Sequence, residues 1–119
     1  MSHLLFFDGN SLVGGSRLRR RLSPALHLDG GHIGYHVRPS LRGRGYATAI
    51  LSHTLREARH IGIRSVLLTV ADTNLASIRV IEKNRGVFER VTISPRSGDT
   101  MHRYWIDTCL LYTSPSPRD

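Results

Sequence analysis

The segment Arg42-Gly43-Arg44-Gly45-Tyr46-Ala47-Thr48 is a glycine-rich, basic loop with a β-type segment before it and an amphipathic helix after it. Few folds accommodate that order. Backbone N–H groups in the first turn of a helix have no intrahelical partner, and the helix dipole adds partial positive charge there. Glycines let an anion approach the backbone closely, and arginines add bidentate hydrogen bonds and charge. Together these are the parts of a pyrophosphate site.

The flanks fit that placement. Gly31-His32-Ile33-Gly34-Tyr35-His36-Val37 reads as a short strand, broken by Arg38-Pro39-Ser40 because Pro cannot continue a central ladder. Downstream, Ala47, Ile50, Leu51, Leu55, Ala58 and Ile61 recur at steps of three and four, which predicts a helix of about four turns ended by Gly62. Ser65-Val66-Leu67-Leu68-Thr69-Val70 is an apolar strand, and Asp72-Thr73-Asn74 caps a second helix with apolar positions Leu75, Ile78 and Ile81. Strand, loop, helix, strand is a crossover unit, so its two strands are expected to be parallel neighbours. The P-loop pattern is absent, and Thr48 stands where the dinucleotide fingerprint needs a third Gly or Ala.

With these residues in place, the chain resembles the GNAT superfamily of N-acetyltransferases. That family's cofactor loop reads Arg/Gln-x-x-Gly-x-Gly/Ala, matched by Arg42, Gly45 and Ala47. A later stretch, Asn-x-x-Ser/Ala…Glu-Lys-x-Gly-x-Phe, is matched by Asn74, Ser77, Glu82, Lys83, Gly86 and Phe88. The wording from Gly31 to Ser40, with Glu82-Lys83-Asn84 and Arg103-Tyr104-Trp105-Ile106, is similar to one bacterial branch of predicted acetyltransferases. The resemblance covers roughly residues 3–107.

It implies an α/β (α+β) acyl-coenzyme A N-acyltransferase fold, with a mixed, mostly antiparallel sheet and a parallel strand pair at the cofactor site. It also implies acetyl-coenzyme A as co-substrate and direct attack of a small-molecule or peptide amine on the thioester. The backbone near Val37 and Arg38 would take the acetyl and pantetheine arm and supply an oxyanion donor. Arg42, Gly43, Arg44, Gly45, Tyr46 and Ala47 would hold the pyrophosphate, with Thr48 as an extra donor. Asn74 would hydrogen-bond the pantetheine as well as cap its helix. The family's usual general acid, a Tyr late in the second helix, is Ile81 here, which has no proton to give. A homodimer is left open, no membrane partner is implied, and the expected location is the cytoplasm.

An acceptor amine with pKa near 10 is mostly protonated at neutral pH, so a base is needed. His32 and His36 lie four apart on the predicted strand and are expected on one face. His36 is nearer the acetyl position and is the candidate, with Asp72 weaker. His32, His36, His53 and His60 fall on different elements without Cys or carboxylate at ligand spacing, so no metal site is expected.

Residues 109–119, Cys109 to Asp119, read as a non-native tail that resembles a translated sequencing adaptor. Residues 1–108 read as one partial domain, since the family's first strand and two helices have no counterpart before the hairpin Leu4–Phe7, Asp8-Gly9-Asn10, Ser11–Val13. Ser16 to His27 reads as an irregular basic stretch. Gly86–Val91 and residues 101–107 read as an antiparallel pair, with Trp105 in the core.

The net charge is +8, carried by 17 Lys and Arg against 9 Asp and Glu. Lys83 is the single lysine, a bias that fits GC-rich coding. Arg17, Arg19, Arg20 and Arg21 form the densest basic run. It reads as a solvated strand edge, with an acidic acceptor, the coenzyme's 3′-phosphate or nucleic acid as alternatives; the run lacks the aromatics of a single-strand binder. Two rival classes stand beside the acetyltransferase: a non-catalytic acyl-coenzyme A sensing module, and a basic nucleic-acid-binding protein.

Overall fold

Turn chemistry at Asp8-Gly9-Asn10 starts the fold. In a computed structural model, described over residues 1–111, β1 (Ser2–Asp8) and β2 (Ser11–Leu18) form an antiparallel hairpin around that turn, where Gly9 has φ +62°. β2 runs further than expected. Its residues Gly14 to Leu18 pair antiparallel with β3 (Ile33–Val37), so the stretch read as irregular from Ser16 begins as strand. Gly14 permits this: a Cβ there would lie against the His36 carbonyl and the Ile50 side chain. The remainder holds a short helix, α1 (Pro24–Leu28), with Ser23 accepting the Leu26 N–H at 3.3 Å and Pro at the first position.

After a 3₁₀ turn at Pro39–Leu41 comes α2 (Tyr46–His60), close to its predicted span. Gly62, at φ +91°, follows its C-terminus. β4 (Ser65–Ala71), α3 (Leu75–Lys83), β5 (Val87–Ile93) and β6 (Thr100–Asp107) complete the described fold, with a last 3₁₀ turn at Thr108–Leu111. β6 lies between β4 and β5, antiparallel to both. The expected pairing of the two last strands is therefore present. Trp105 is a correction: opposite Val87 on β5 it is half-buried, its indole N–H donating to Glu89 at 2.9 Å, while Met101, Arg103, Tyr104 and Ile106 are buried on that strand.

Among the described residues every ladder is antiparallel, in two three-stranded sheets ordered β1-β2-β3 and β4-β6-β5. The parallel pair expected of β3 and β4 does not form a ladder. The two approach only where β3 begins. There His32 N–H donates to the Leu67 carbonyl at 2.8 Å, Leu67 N–H donates to His32 Nδ1 at 2.9 Å, and Gly30 N–H donates to Thr69 Oγ1 at 2.8 Å. Gly31 permits the approach, since it has φ +62° and a Cβ there would lie on the Leu67 carbonyl. Beyond this junction the strands part, and the gap between them shapes the site.

One core spans both sheets. Leu51, Leu55 and Ala58 from α2 meet Leu18 and Ile33 of the first sheet and Val66, Leu68 and Ile106 of the second. Each fully buried Leu contributes about 1.5–3 kcal/mol, so α2 is the main bond between sheets that share no ladder. A smaller cluster, Val13, Val37 and Ile50, lies beside the loop before α2. Ile81 is fully buried in the main cluster. Residues 112–119, most of the tail set apart in the sequence, lie outside the described residues.

Candidate functional site

The loop before α2 is built for backbone approach. Gly43 and Gly45 have φ +78° and +85°, conformations an L side chain rarely adopts, and the space where their Cβ atoms would lie is open. Gly45 is the N-cap of α2 and brings no side-chain hydrogen bond to the first turn; no acidic residue stands in that turn. The first-turn N–H groups thus face outward without a covalently attached anion to quench them. Tyr46 fixes the turn from outside, its hydroxyl donating to the Asp8 carboxylate at 2.7 Å, and this bond raises the Tyr46 pKa.

This helix end opens on a cleft of about 520 Å³ between the loop, the end of β3 and α3. Of the residues picked from sequence, Val37, Arg42, Gly43, Gly45, Tyr46, Ala47, Thr48 and Asn74 line it. Arg38 and Arg44 are exposed and outside its lining. The cleft also takes Tyr35, Leu41, Ala76, Arg79 and Val80, which sequence reasoning missed, and Ser77 and Lys83, which it matched to the family stretch without giving them a place in the site. The signal was available for α3: Ala76, Arg79, Val80 and Lys83 recur at helical spacing beyond Asn74, on one face. Arg42, Arg79 and Lys83 give the cleft three cations, and no carboxylate lines it.

At the far end of the cleft the backbone of β3 is directed into the gap. Arg38 N–H donates to the Val13 carbonyl at 2.7 Å, so the alternation of an antiparallel ladder turns the N–H and C=O of Val37 away from β2. Arg42 Nε donates to that carbonyl at 3.2 Å, holding the basic loop against the strand end. Across the gap, Asn74 Oδ1 accepts the Ser77 N–H at 3.2 Å as the N-cap of α3. Deeper, the amide of buried Asn84 donates to the carbonyls of Thr48 and Val80 at 3.2 and 3.0 Å. That tie fixes the end of α3 to the first turn of α2.

The histidines separate. His32 precedes β3, and its ring is turned to β4 to accept the Leu67 N–H; burial, with His27 nearby, lowers its pKa. It does not share a face with His36 as expected. His36 is exposed and lies over Gly15, on the opposite face of β3 from Tyr35 and Val37. The structure therefore does not bring His36 into the cleft. Asp72 is exposed in the turn before α3 and is outside the cleft as well. Among the described residues no group of three His, Cys, Asp or Glu could hold a metal ion, and no helix is long and apolar enough to cross a membrane.

Tyr35 lies where the cleft meets the gap. Burial raises its pKa, and its hydroxyl, shielded from solvent, lies near Ser77 without a hydrogen bond of good geometry. A buried hydroxyl without a partner is uncommon and costs stability.

Comparison with known proteins bears on the fold. Among solved structures, the chain is similar to a spermidine N-acetyltransferase chimera of the Vibrio cholerae SpeG and human SSAT proteins. The TM-score is 0.73 at 16% identity, covering 92% of this chain and 68% of that one. It is similar to an N-acetyltransferase from Staphylococcus aureus Mu50, with TM-score 0.68, 21% identity, and 87% and 66% of the two chains covered. It is also similar to yncA from Salmonella typhimurium, solved with its cofactor acetyl-CoA, with TM-score 0.67, 16% identity, and 85% and 61% covered. The chain thus spans about two thirds of the length of these structures. No curated protein sequence matches it. The family model described as the acetyltransferase (GNAT) family matches residues 1–87. With the loop, the cleft and the parted strands already in view, that match over most of the chain shows that it belongs to the GNAT acetyltransferase family.

Proposed function

We propose that this chain carries the acetyl-coenzyme A site of an N-acetyltransferase whose acceptor is a primary amine of a small molecule or peptide. The observation that supports it most is one cleft that joins the N-terminus of α2, which has no side-chain cap, to the unladdered end of β3 and to α3. Its residues suit the ligand. The open glycine cradle and the cations of Arg42, Arg79 and Lys83 fit a pyrophosphate. The unladdered edge of β3 fits an arm that carries amides, and Asn74 stands opposite to meet it.

Acetyl-coenzyme A supplies an acetyl thioester, whose C–S bond breaks as the amine's C–N bond forms, with the amine's proton passing through a base and the thiol sulfur regaining one. The Val37 N–H, facing away from β2, donates to the oxygen on which charge develops. The α2 terminus and the arginines hold the reactant in place, which lowers the entropy cost of reaction. His36 is proposed as the base; it stands on the far face of β3, so the amine must approach from that side. Ile81 is core and gives no proton. Tyr35 is the phenol that reaches the gap and is proposed to protonate the leaving sulfur.

Calorimetric titration of the chain with acetyl-coenzyme A tests the site. Saturable binding that is lost in Gly45→Glu is expected, and a folded chain that ignores the ligand would overturn the reading. Binding together with release of coenzyme A in the presence of an amine separates an enzyme from a non-catalytic sensing module.

A further inference from the structure

The basic run in β2 does not act as one strip. Alternation sends Leu18 into the core and places Arg17 and Arg19 on the same face of the sheet. Arg20 turns elsewhere, its guanidinium donating to the Ile61 carbonyl at 2.7 Å beyond the end of α2. A continuous surface for a nucleic-acid backbone is therefore not formed. Instead Arg17 folds over Gly34, its partner on β3, where a Cβ would collide with the guanidinium. This is the face that also carries His36.

There Arg17 lines a second, smaller pocket of about 240 Å³, with Arg96, Asp29, Gly34, Thr69 and Met101 among its walls. Arg96 pairs with Asp29 at 3.0 Å, and that carboxylate also accepts the Ser94 hydroxyl. Arg19 borders the pocket at Gly30 and donates to the Gly31 carbonyl at 3.2 Å. Burial and the charges of Arg17 and Arg96 lower the Arg19 pKa, which places the three cations in each other's field. The guanidinium groups of Arg17 and Arg96 thus share the pocket with one carboxylate, and that of Arg19 stands at its edge. Arg17 has no ion pair among the described residues, and its buried Nε has no hydrogen-bond partner.

A buried guanidinium nitrogen without a partner is costly, and an arginine's planar fork matches an oxyanion. The pocket is also continuous with the cleft: Tyr35, Asn74 and Ser77 line both, because the gap between β3 and β4 passes through the sheet. We propose that this second pocket, lined by Arg17 and Arg96 with Arg19 at its edge, binds the carboxylate or phosphate of an anionic amine and so selects it as the acceptor. The proposal rests on the acetyl-transfer reading above. It makes the acceptor opposite in charge to a polyamine such as spermidine, which three cations would repel.

The test begins without the coenzyme. Amide NMR of the full chain is followed during titration with L-glutamate or O-phosphoethanolamine, against ethanolamine and spermidine as amines without an oxyanion. Shifts centred on Arg17, Gly34 and Asp29 are expected from the first two alone, and their relative strength decides between carboxylate and phosphate. Arg96→Gln, an exposed position, and Arg17→Gln are each expected to weaken this binding about tenfold, as the loss of one charge-assisted hydrogen bond does. Acetyl-coenzyme A affinity in these variants should be unchanged. With acetyl-coenzyme A added, the oxyanion-bearing amine should release coenzyme A at least tenfold faster than its neutral counterpart. Equal rates, or no shift at Arg17 and Gly34, overturn the proposal while the acetyl-transfer reading stands. A folded chain that does not bind acetyl-coenzyme A overturns that reading and the acceptor assignment with it.

Discussion

His32 and Leu67 exchange two hydrogen bonds: the amide of His32 donates to the Leu67 carbonyl at 2.8 Å, and the amide of Leu67 donates to the His32 ring at 2.9 Å. The second bond requires an unprotonated Nδ1. The junction of the two sheets is therefore sensitive to a proton.

Burial holds the His32 pKa below its ordinary value, with a smaller push from His27. The unfolded chain consequently binds this proton more readily than the folded one, so stability rises with pH in this window. The His32 contribution is full above the unfolded value near 6.5 and is lost as pH falls through the lower folded value. Thermal unfolding should show stability falling on acidification below about pH 6.5, by at most about 1.4 kcal/mol per pH unit for one proton. His32→Asn should remove that part of the slope, and an identical slope in the variant would place the proton elsewhere.

Gly45 serves two purposes that substitution can separate. Gly45→Ala meets no neighbour but must hold φ +85°, which costs about 1–2 kcal/mol of stability. Gly45→Glu carries the same strain and adds a carboxylate at the anion site, so acetyl-coenzyme A affinity should fall about 100-fold, the loss expected for charge-assisted hydrogen bonds. Denaturation midpoints and calorimetry on the pair decide it. Equal binding by both variants would move the pyrophosphate away from this loop.

Removing the Tyr35 hydroxyl should not harm the fold. It is buried and unpartnered, so Tyr35→Phe should be neutral or stabilising by up to about 1 kcal/mol. The same change should slow turnover at the amine's optimum pH without altering acetyl-coenzyme A affinity. A variant that melts earlier would reveal a hydrogen-bond partner for the phenol.

Asn84 ties α3 to the first turn of α2 through its amide bond to the Thr48 carbonyl, while its bond to the Val80 carbonyl holds the amide in place within α3. Asn84→Ala should cost about 1–3 kcal/mol and weaken acetyl-coenzyme A binding by loosening that turn. Urea unfolding and titration of one preparation give both numbers; loss of stability with intact affinity would show that the tie does not position the loop.

The parts legible in the sequence are those set by local rules. The basic loop, the span of α2 and the Asn74 cap depend on nearby residues, and the structure has them where capping and periodicity place them. Arg79 and Lys83 were readable by the same periodicity once Asn74 was fixed. The Arg17 pocket was not, because it depends on cross-strand register: Arg17 meets the cavity only because its partner is Gly34. β2 was hard to follow because Gly14 and Gly15 weaken strand propensity, and a close approach by β3 is what makes them suitable there. Trp105 was misplaced for a related reason. Alternation says that neighbouring residues face opposite ways, but not which face is covered.

The gap between β3 and β4 has a consequence for motion. With no ladder across it, the segments Ser2–Val37 and Ser65–Asp107 are held together by the apolar face of α2, the His32–Leu67 exchange and a few side-chain ties at Leu28, Asp29 and Gly30. They should behave as separate foldons, with amides along the gap exchanging with solvent before those of β6. A ligand that lies in the gap would act as the missing strand of a single sheet and make the two halves unfold as one.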